Sequence, residues 1–155
     1  MLSIHRLRIS LLTALSLCAL PLCGQEPETA TRYRAMSLQA DSLLEGSFVR
    51  DGQEWFGLAR PGQVYKITLT FYANVHYRLL TLAQTEKAAV RYKIYDADRN
   101  LLFDNEEYGM KTWWDFKASV PLVCQVELEL RGAKHNKKPQ GYVLLRLGFK
   151  DHFLR

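Results

Sequence analysis

From Phe48 onward, apolar and polar residues alternate along this chain with a period of two. Tyr65, Ile67, Leu69 and Phe71 alternate with Lys66, Thr68 and Thr70; Val90, Tyr92 and Ile94 alternate with Arg91, Lys93 and Tyr95. Trp114, Phe116 and Ala118 are separated by Asp115 and Lys117, and Val143, Leu145, Leu147 and Phe149 close the series. A period of two sends successive side chains to opposite faces of a strand, so each run predicts a half-buried β-strand. The run 76–83 is more uniformly apolar than the others. Turn-forming residues fall between the runs at Asp51-Gly52, Arg60-Pro61-Gly62, Ala73-Asn74, 96–100, 107–109 and 132–141. Short alternating strands separated by such signals at intervals of about 8–12 residues predict an antiparallel sandwich. The expected fold is all-β, a jelly-roll-like sandwich of about eight strands.

The period changes upstream. Over 28–45, Tyr33, Met36, Ala40, Leu43 and Leu44 approximate a stripe of 3.6-residue period, and Gly46 follows where a helix would stop. A short N-terminal helix is expected there. Further upstream, Arg6 and Arg8 precede a largely apolar run over 9–22 that ends at Pro21-Leu22-Cys23-Gly24-Gln25. A positive start, about 14 apolar residues and a small-residue exit make a secretory signal peptide, too short for the roughly 20 residues that cross a bilayer. The expected layout is a signal peptide over 1–24, a partly helical segment over 25–46 and a β-sandwich domain over 47–155. Cleavage after Gly24 is favoured. Acylation at Cys23, which would anchor the chain in a membrane, needs a small residue before the cysteine, and Leu22 stands there.

Charge and cysteine content narrow the classes further. The net charge is +5, and loss of Arg6 and Arg8 with the leader lowers it to +3. The dense basic cluster Lys134-His135-Asn136-Lys137-Lys138 lies between two strand-like runs, which predicts a solvated hairpin loop; phosphate or lipid-headgroup binding is the alternative. An exported protein is not expected to read nucleic acid. Beyond the leader Cys124 is the only cysteine, so no internal disulfide is possible there, and its phase within 122–131 turns it toward the core.

Few patterns suggest chemistry. Asp96-Ala97-Asp98-Arg99-Asn100, with Asp104 and Glu107 at the ninth and twelfth places, matches the ligand spacing of a calcium-binding EF-hand loop. Leu101 occupies the sixth place, which needs glycine, so the expected reading is a β-hairpin whose Asp and Asn side chains hold the turn. Asp104, Glu106, Glu107 and Asp115 offer carboxylates for glycoside hydrolysis, but four acids beside two turns read first as solvated loop residues. His76, His135 and His152 show no metal-ligand spacing, and Ser37, Ser42, Ser47 and Ser119 have no partner readable from sequence. No catalytic residue, metal ligand or cofactor is assigned. Tyr108, Trp113 and Trp114 form an aromatic group: alternation turns Trp114 inward, leaving Tyr108 and Trp113 as speculative ligand-binding residues that could stack on sugar rings.

Phe71-Tyr72, Tyr77-Arg78, Tyr92-Lys93-Ile94-Tyr95-Asp96, Leu102-Phe103-Asp104-Asn105, Trp114-Asp115-Phe116, Gly141-Tyr142-Val143 and Gly148-Phe149-Lys150 carry a resemblance across 33–150. In these the chain resembles a group of short, exported, uncharacterised proteins of Bacteroidetes-type bacteria, whose members carry Cys where Tyr142 stands. The resemblance implies a β-rich domain in the envelope of a two-membrane cell and brings no activity or catalytic residues. The expected function is a non-catalytic protein of the periplasm or cell envelope, a protein-interaction or accessory structural subunit with an envelope protein as partner. The alternative is a small glycan- or ligand-binding module, with calcium as a possible aid.

Overall fold

The computed structural model describes residues 27–150 apart from 45, 47, 61, 85–87 and 133–139. Helix α1 (Glu28–Leu44) is followed by strands β1 (Phe48–Ala59), β2 (Val64–Phe71), β3 (His76–Ala83), β4 (Ala88–Tyr95) and β5 (Leu101–Asp104). A 3-10 turn (Asn105–Tyr108) leads to β6 (Trp113–Lys117), β7 (Leu122–Gly132) and β8 (Gly141–Lys150). The strands form two four-stranded antiparallel sheets, ordered β1-β8-β3-β6 and β2-β7-β4-β5. First and last strands pair, and so do β2 with β7, β3 with β6 and β4 with β5. That nesting is what one long antiparallel ribbon leaves when it rolls up on itself. The antiparallel sandwich expected from the alternation and the N-terminal helix expected from the stripe over 28–45 are both present.

The expected leader over 1–24, the Cys23 anchoring alternative, Ser47, His152 and the basic cluster with His135 lie outside the described residues. The strands flanking that cluster correct one expectation: β7 and β8 belong to different sheets, so they are not the two arms of a hairpin. A second correction concerns Asp51-Gly52. Instead of a turn between strands it is an irregularity within β1, where the register to β8 shifts between Arg50 and Glu54 and Gly52 adopts φ 98°. The partner strand continues past it, so the glycine supplies a bulge rather than a reversal.

The inward faces of both sheets build the main core from Leu69, Phe71, Tyr77, Leu79, Tyr92, Ile94, Cys124, Val126, Leu128, Val143, Leu145 and Leu147. Cys124 is buried as its phase predicts. Helix α1 covers the outer face of the β1-β8-β3-β6 sheet, packing Met36, Ala40 and Leu44 on Leu80, Leu82 and Leu144. This explains the uniformly apolar run in β3: strands β3 and β8 are covered on both faces, so neither alternates cleanly. Gly148 makes the close approach possible, since a Cβ there would lie 2.7 Å from Leu44 Cδ2 and 3.1 Å from the Val49 carbonyl oxygen.

A buried charge lies under the helix. Arg146 projects from the outer face of β8 and is 1 % exposed. Its five N–H donors are all taken: Nε and Nη2 donate to Glu54 Oε2 at 2.9 and 2.7 Å, Nη1 to Asp41 Oδ1 at 2.8 Å and the Ser37 carbonyl at 3.1 Å, and Nη2 also to Ser37 Oγ at 2.9 Å. Arg50 donates through Nε and Nη2 to both oxygens of Asp41, and the Tyr33 hydroxyl donates to Glu54 Oε1 at 2.6 Å. Two cations therefore meet two carboxylates. Arg78 fixes the helix end, donating to the Leu43 carbonyl at 2.6 Å and, through Nε and Nη2, to the Asp115 carboxylate at 2.7 Å. A cation beside the final carbonyls complements the negative end of the helix, whose own last turn has no basic residue.

Replacing Arg146 by alanine leaves Glu54 and part of Asp41 without their counter-charge, and should cost about 3 kcal/mol in urea unfolding. The hydrogen bond from Arg50 holds the Asp41 carboxyl below its ordinary value. Burial pushes Glu54 up, but the hydrogen bonds from Tyr33 and Arg146 outweigh it and the net shift is downward. Carboxyls lowered in the folded state stabilise it fully above their unfolded values, near 4, and lose that contribution as pH falls through the lower folded values. Unfolding midpoints should therefore drop below about pH 4 in the native protein and drop less in Arg146→Ala. Tyr92 gives the opposite expectation. Its hydroxyl is the one buried side-chain polar atom without a hydrogen-bond partner among the described residues, so Tyr92→Phe should raise stability by about 1 kcal/mol in the same assay.

Candidate functional site

One side of the sandwich is defined by β5 and β6, the last strands of their respective sheets. The 3-10 turn crosses between them and is held on three sides. Asp104 caps it by accepting the Glu106 amide at 3.0 Å, and Gly109 ends it at φ 74°. Asn105, fully buried, donates to the carbonyls of Val90 at 2.8 Å and Lys111 at 3.1 Å and accepts the Tyr92 amide at 2.9 Å. A short turn fixed this way sets where its flanking aromatic residues sit.

Those residues form a column across the gap. Tyr108 stacks on Phe103 (5.2 Å between centroids), Phe103 on Trp114 (4.2 Å) and Trp114 on Phe116 (4.3 Å), and Phe116 meets Phe71 edge-on at 5.0 Å. Two recesses are bounded by this column. The first, about 330 Å³, runs between the sheets and is lined by Leu102, Trp114, Phe116, Ala118, Val120 and Leu122, with Phe71, Ile94 and Cys124 also reaching it and Lys117 and Ser119 as its polar members. The second, about 360 Å³, is lined by Phe103, Tyr108, Lys111, Trp113, Trp114 and Asp115. Trp114 separates and serves both.

Trp114 turns inward as the alternation predicts and is half-buried against the core, whereas Tyr108 and Trp113 are exposed at 54 % and 43 % and face the same recess. The apolar members of the first recess were not singled out, because in sequence they read as ordinary core positions. Leu102 on β5 and Val120 in the loop between β6 and β7 are nevertheless exposed.

The charged candidates have structural duties. Asp104 takes Arg91 at 2.7 Å and Lys93 at 3.7 Å, and Arg91 also holds Glu106 at 2.6 Å. Burial pushes the Asp104 carboxyl up, but Arg91 and the Glu106 amide outweigh it and hold it below the ordinary carboxylate range. Asp115 is held by Arg78, and Glu107 is exposed on the turn. Neither recess is lined by two carboxylates. The 96–100 segment is the expected hairpin between β4 and β5: Asp96 accepts the Asn100 amide and side-chain N–H at 2.8 Å each, and Arg99 adopts φ 67°. Among the described residues no three His, Cys, Asp or Glu side chains are grouped to hold a metal ion. His76 opens β3 at an exposed position. Cys124 lies at the first recess with its thiol pushed up by burial, which keeps it protonated and unreactive.

No protein-family model matches this chain, and no curated protein sequence matches it. Among solved structures it is similar to that of Aeromonas hydrophila PliG, a periplasmic lysozyme inhibitor of g-type lysozyme: 11 % identity, TM-score 0.48, covering 68 % of this chain and 90 % of the other. At that level the likeness says nothing about a partner.

The two adjacent tryptophans should separate in their energetics. Trp114→Ala removes the middle of the column and should cost about 3 kcal/mol, while exposed Trp113→Ala should stay within about 0.5 kcal/mol, both read from urea unfolding.

Proposed function

We propose that this chain is a non-catalytic exported protein of the periplasm or cell envelope that binds another envelope protein through its β5/β6 side. The observation that carries the reading is the placement of Leu102, Val120, Tyr108 and Trp113, all exposed and all lining the two recesses on that one side. Scattered exposed apolar residues are ordinary, but a contiguous group around recesses marks an interaction surface. Arg6 and Arg8 ahead of the apolar run over 9–22, the pattern of a signal peptide, support export. The carboxylates nearest the site are committed to arginines, which supports a binding role over an acid–base one.

A glycan-binding reading is favoured by one feature. Tyr108 and Trp113 share a recess with Lys111, and the outer face of Tyr108 is free of the Phe103 stack that covers its inner face. A sugar ring stacked there would leave its hydroxyls near Lys111.

Tagged protein recovered from gently crosslinked native envelopes, with mass spectrometry of what accompanies it, tests the main reading. The expected result is one reproducible envelope partner that is lost with Leu102→Ser/Trp113→Ser and retained with a control change at Lys66. Recovery of the protein alone contradicts it. In that case soluble cell-wall and outer-membrane glycans become the probes, with Tyr108→Ala expected to abolish their binding.

A further inference from the structure

We infer that β6 is an acceptor edge for an extended peptide segment, which would add as a fifth strand beyond it and place alternate apolar side chains in the first recess. This rests on the protein-binding reading above and names the form that the partner presents.

The hydrogen-bond phase of β6 carries the inference. Ala118 donates to the Val75 carbonyl and Thr81 to the Thr112 carbonyl, and the register pairs Leu79 with Trp114 and Tyr77 with Phe116. In an antiparallel ladder hydrogen-bonded and non-bonded pairs alternate. The backbone groups of Trp114, Phe116 and Ala118 therefore point to β3, and those of Trp113, Asp115 and Lys117 point away from it. Beyond β6 the sheet has no further strand among the described residues. Three N–H and three C=O groups thus stand in a row at the sheet edge, ready to pair.

The face of the added strand is also specified. Trp114, Phe116 and Ala118 turn their side chains inward, where they line the recess with Leu102, Val120 and Leu122. A strand laid against β6 would put every second side chain over that recess, and its apolar lining of about 330 Å³ selects aliphatic residues there. The other set would face outward beside Asp115 and Lys117, the latter also bordering the recess. Asp115 is already neutralised by Arg78, whereas Lys117 has no carboxylate in an ion pair with it among the described residues. Opposite charges on facing strands attract, so the preferred segment carries an acidic residue beside Lys117. The other sheet ends fit less well: β1 is interrupted by a bulge and lines no part of the recess, β5 is four residues long, and β2 brings a single side chain, Phe71, to it.

The test uses random decapeptides displayed on phage, selected against the folded protein and then made synthetically. Asp115→Pro and Asp115→Ala both remove the carboxylate, but only proline removes the outward N–H, and its loss there spares the β3 ladder. Enriched peptides should carry aliphatic residues at alternate positions and an acid in the opposite set. The best peptide should bind Asp115→Pro at least tenfold more weakly than Asp115→Ala, and Lys117→Glu should also weaken it. In the unmutated protein the same peptide should slow amide hydrogen exchange at Trp113, Asp115 and Lys117 at least tenfold. Failure to enrich an alternating pattern, equal binding by the two Asp115 variants, or protection at β1 or β2 instead overturns the inference. The two readings separate: an envelope partner retained by Asp115→Pro but lost with Leu102→Ser/Trp113→Ser leaves protein binding intact without strand addition. Peptide binding with no envelope partner leaves the acceptor edge intact without the proposed function.

Discussion

Burial of Arg146 beneath the helix is the constraint around which the rest of the molecule is arranged. A guanidinium 1 % exposed in an apolar sheet face is tolerated only when all its donors and its charge are answered. Glu54 comes from β1, Asp41 and Ser37 from α1, and Arg50 and Tyr33 complete the balance. The helix can therefore sit on the sheet in one position. With α1 there, β3 and β8 are covered on both faces and form the rigid centre from which β6 extends.

Arg78 links that centre to the open side. It joins the Leu43 carbonyl at the end of the helix to Asp115 on β6, so the edge strand is positioned from its outer face by the same arginine that caps α1. On the inner face the column Phe103–Trp114–Phe116 holds the edges of the two sheets in register. An edge braced on both faces can offer its backbone without rearranging. That is the physical basis for reading the β5/β6 side as a docking site.

Much of the architecture was legible in the sequence. Period-two alternation located most of the strands from Tyr65 onward, an apolar run bounded by turn signals located β3, and the stripe from Tyr33 to Leu44 located α1. The inward phase of Cys124 and Trp114 and the hairpin at Asp96–Asn100 were legible for the same reason: each depends on residues close in sequence. Asp51-Gly52 misled because a positive-φ glycine serves a bulge and a turn equally. The pairing of β7 with β2 and β4, and of β8 with β1 and β3, was hidden because long-range pairing leaves no local trace. Arg146 did leave one, as a charge inside Val143-Leu144-Leu145-Arg146-Leu147, but its partners lie about a hundred positions away and only the fold brings them together. The recess was equally hidden, since its lining comes from five strands and a loop, each unremarkable in isolation.

The most direct measurement is amide hydrogen exchange across the whole chain, comparing the protein alone with the protein bound to the envelope partner captured with it. The account predicts new protection confined to residues 101–120, strongest at the outward amides of β6, with the outer edges of β1 and β2 unchanged. Protection centred on α1, β1 or β2, with residues 101–120 exchanging as before, would contradict it.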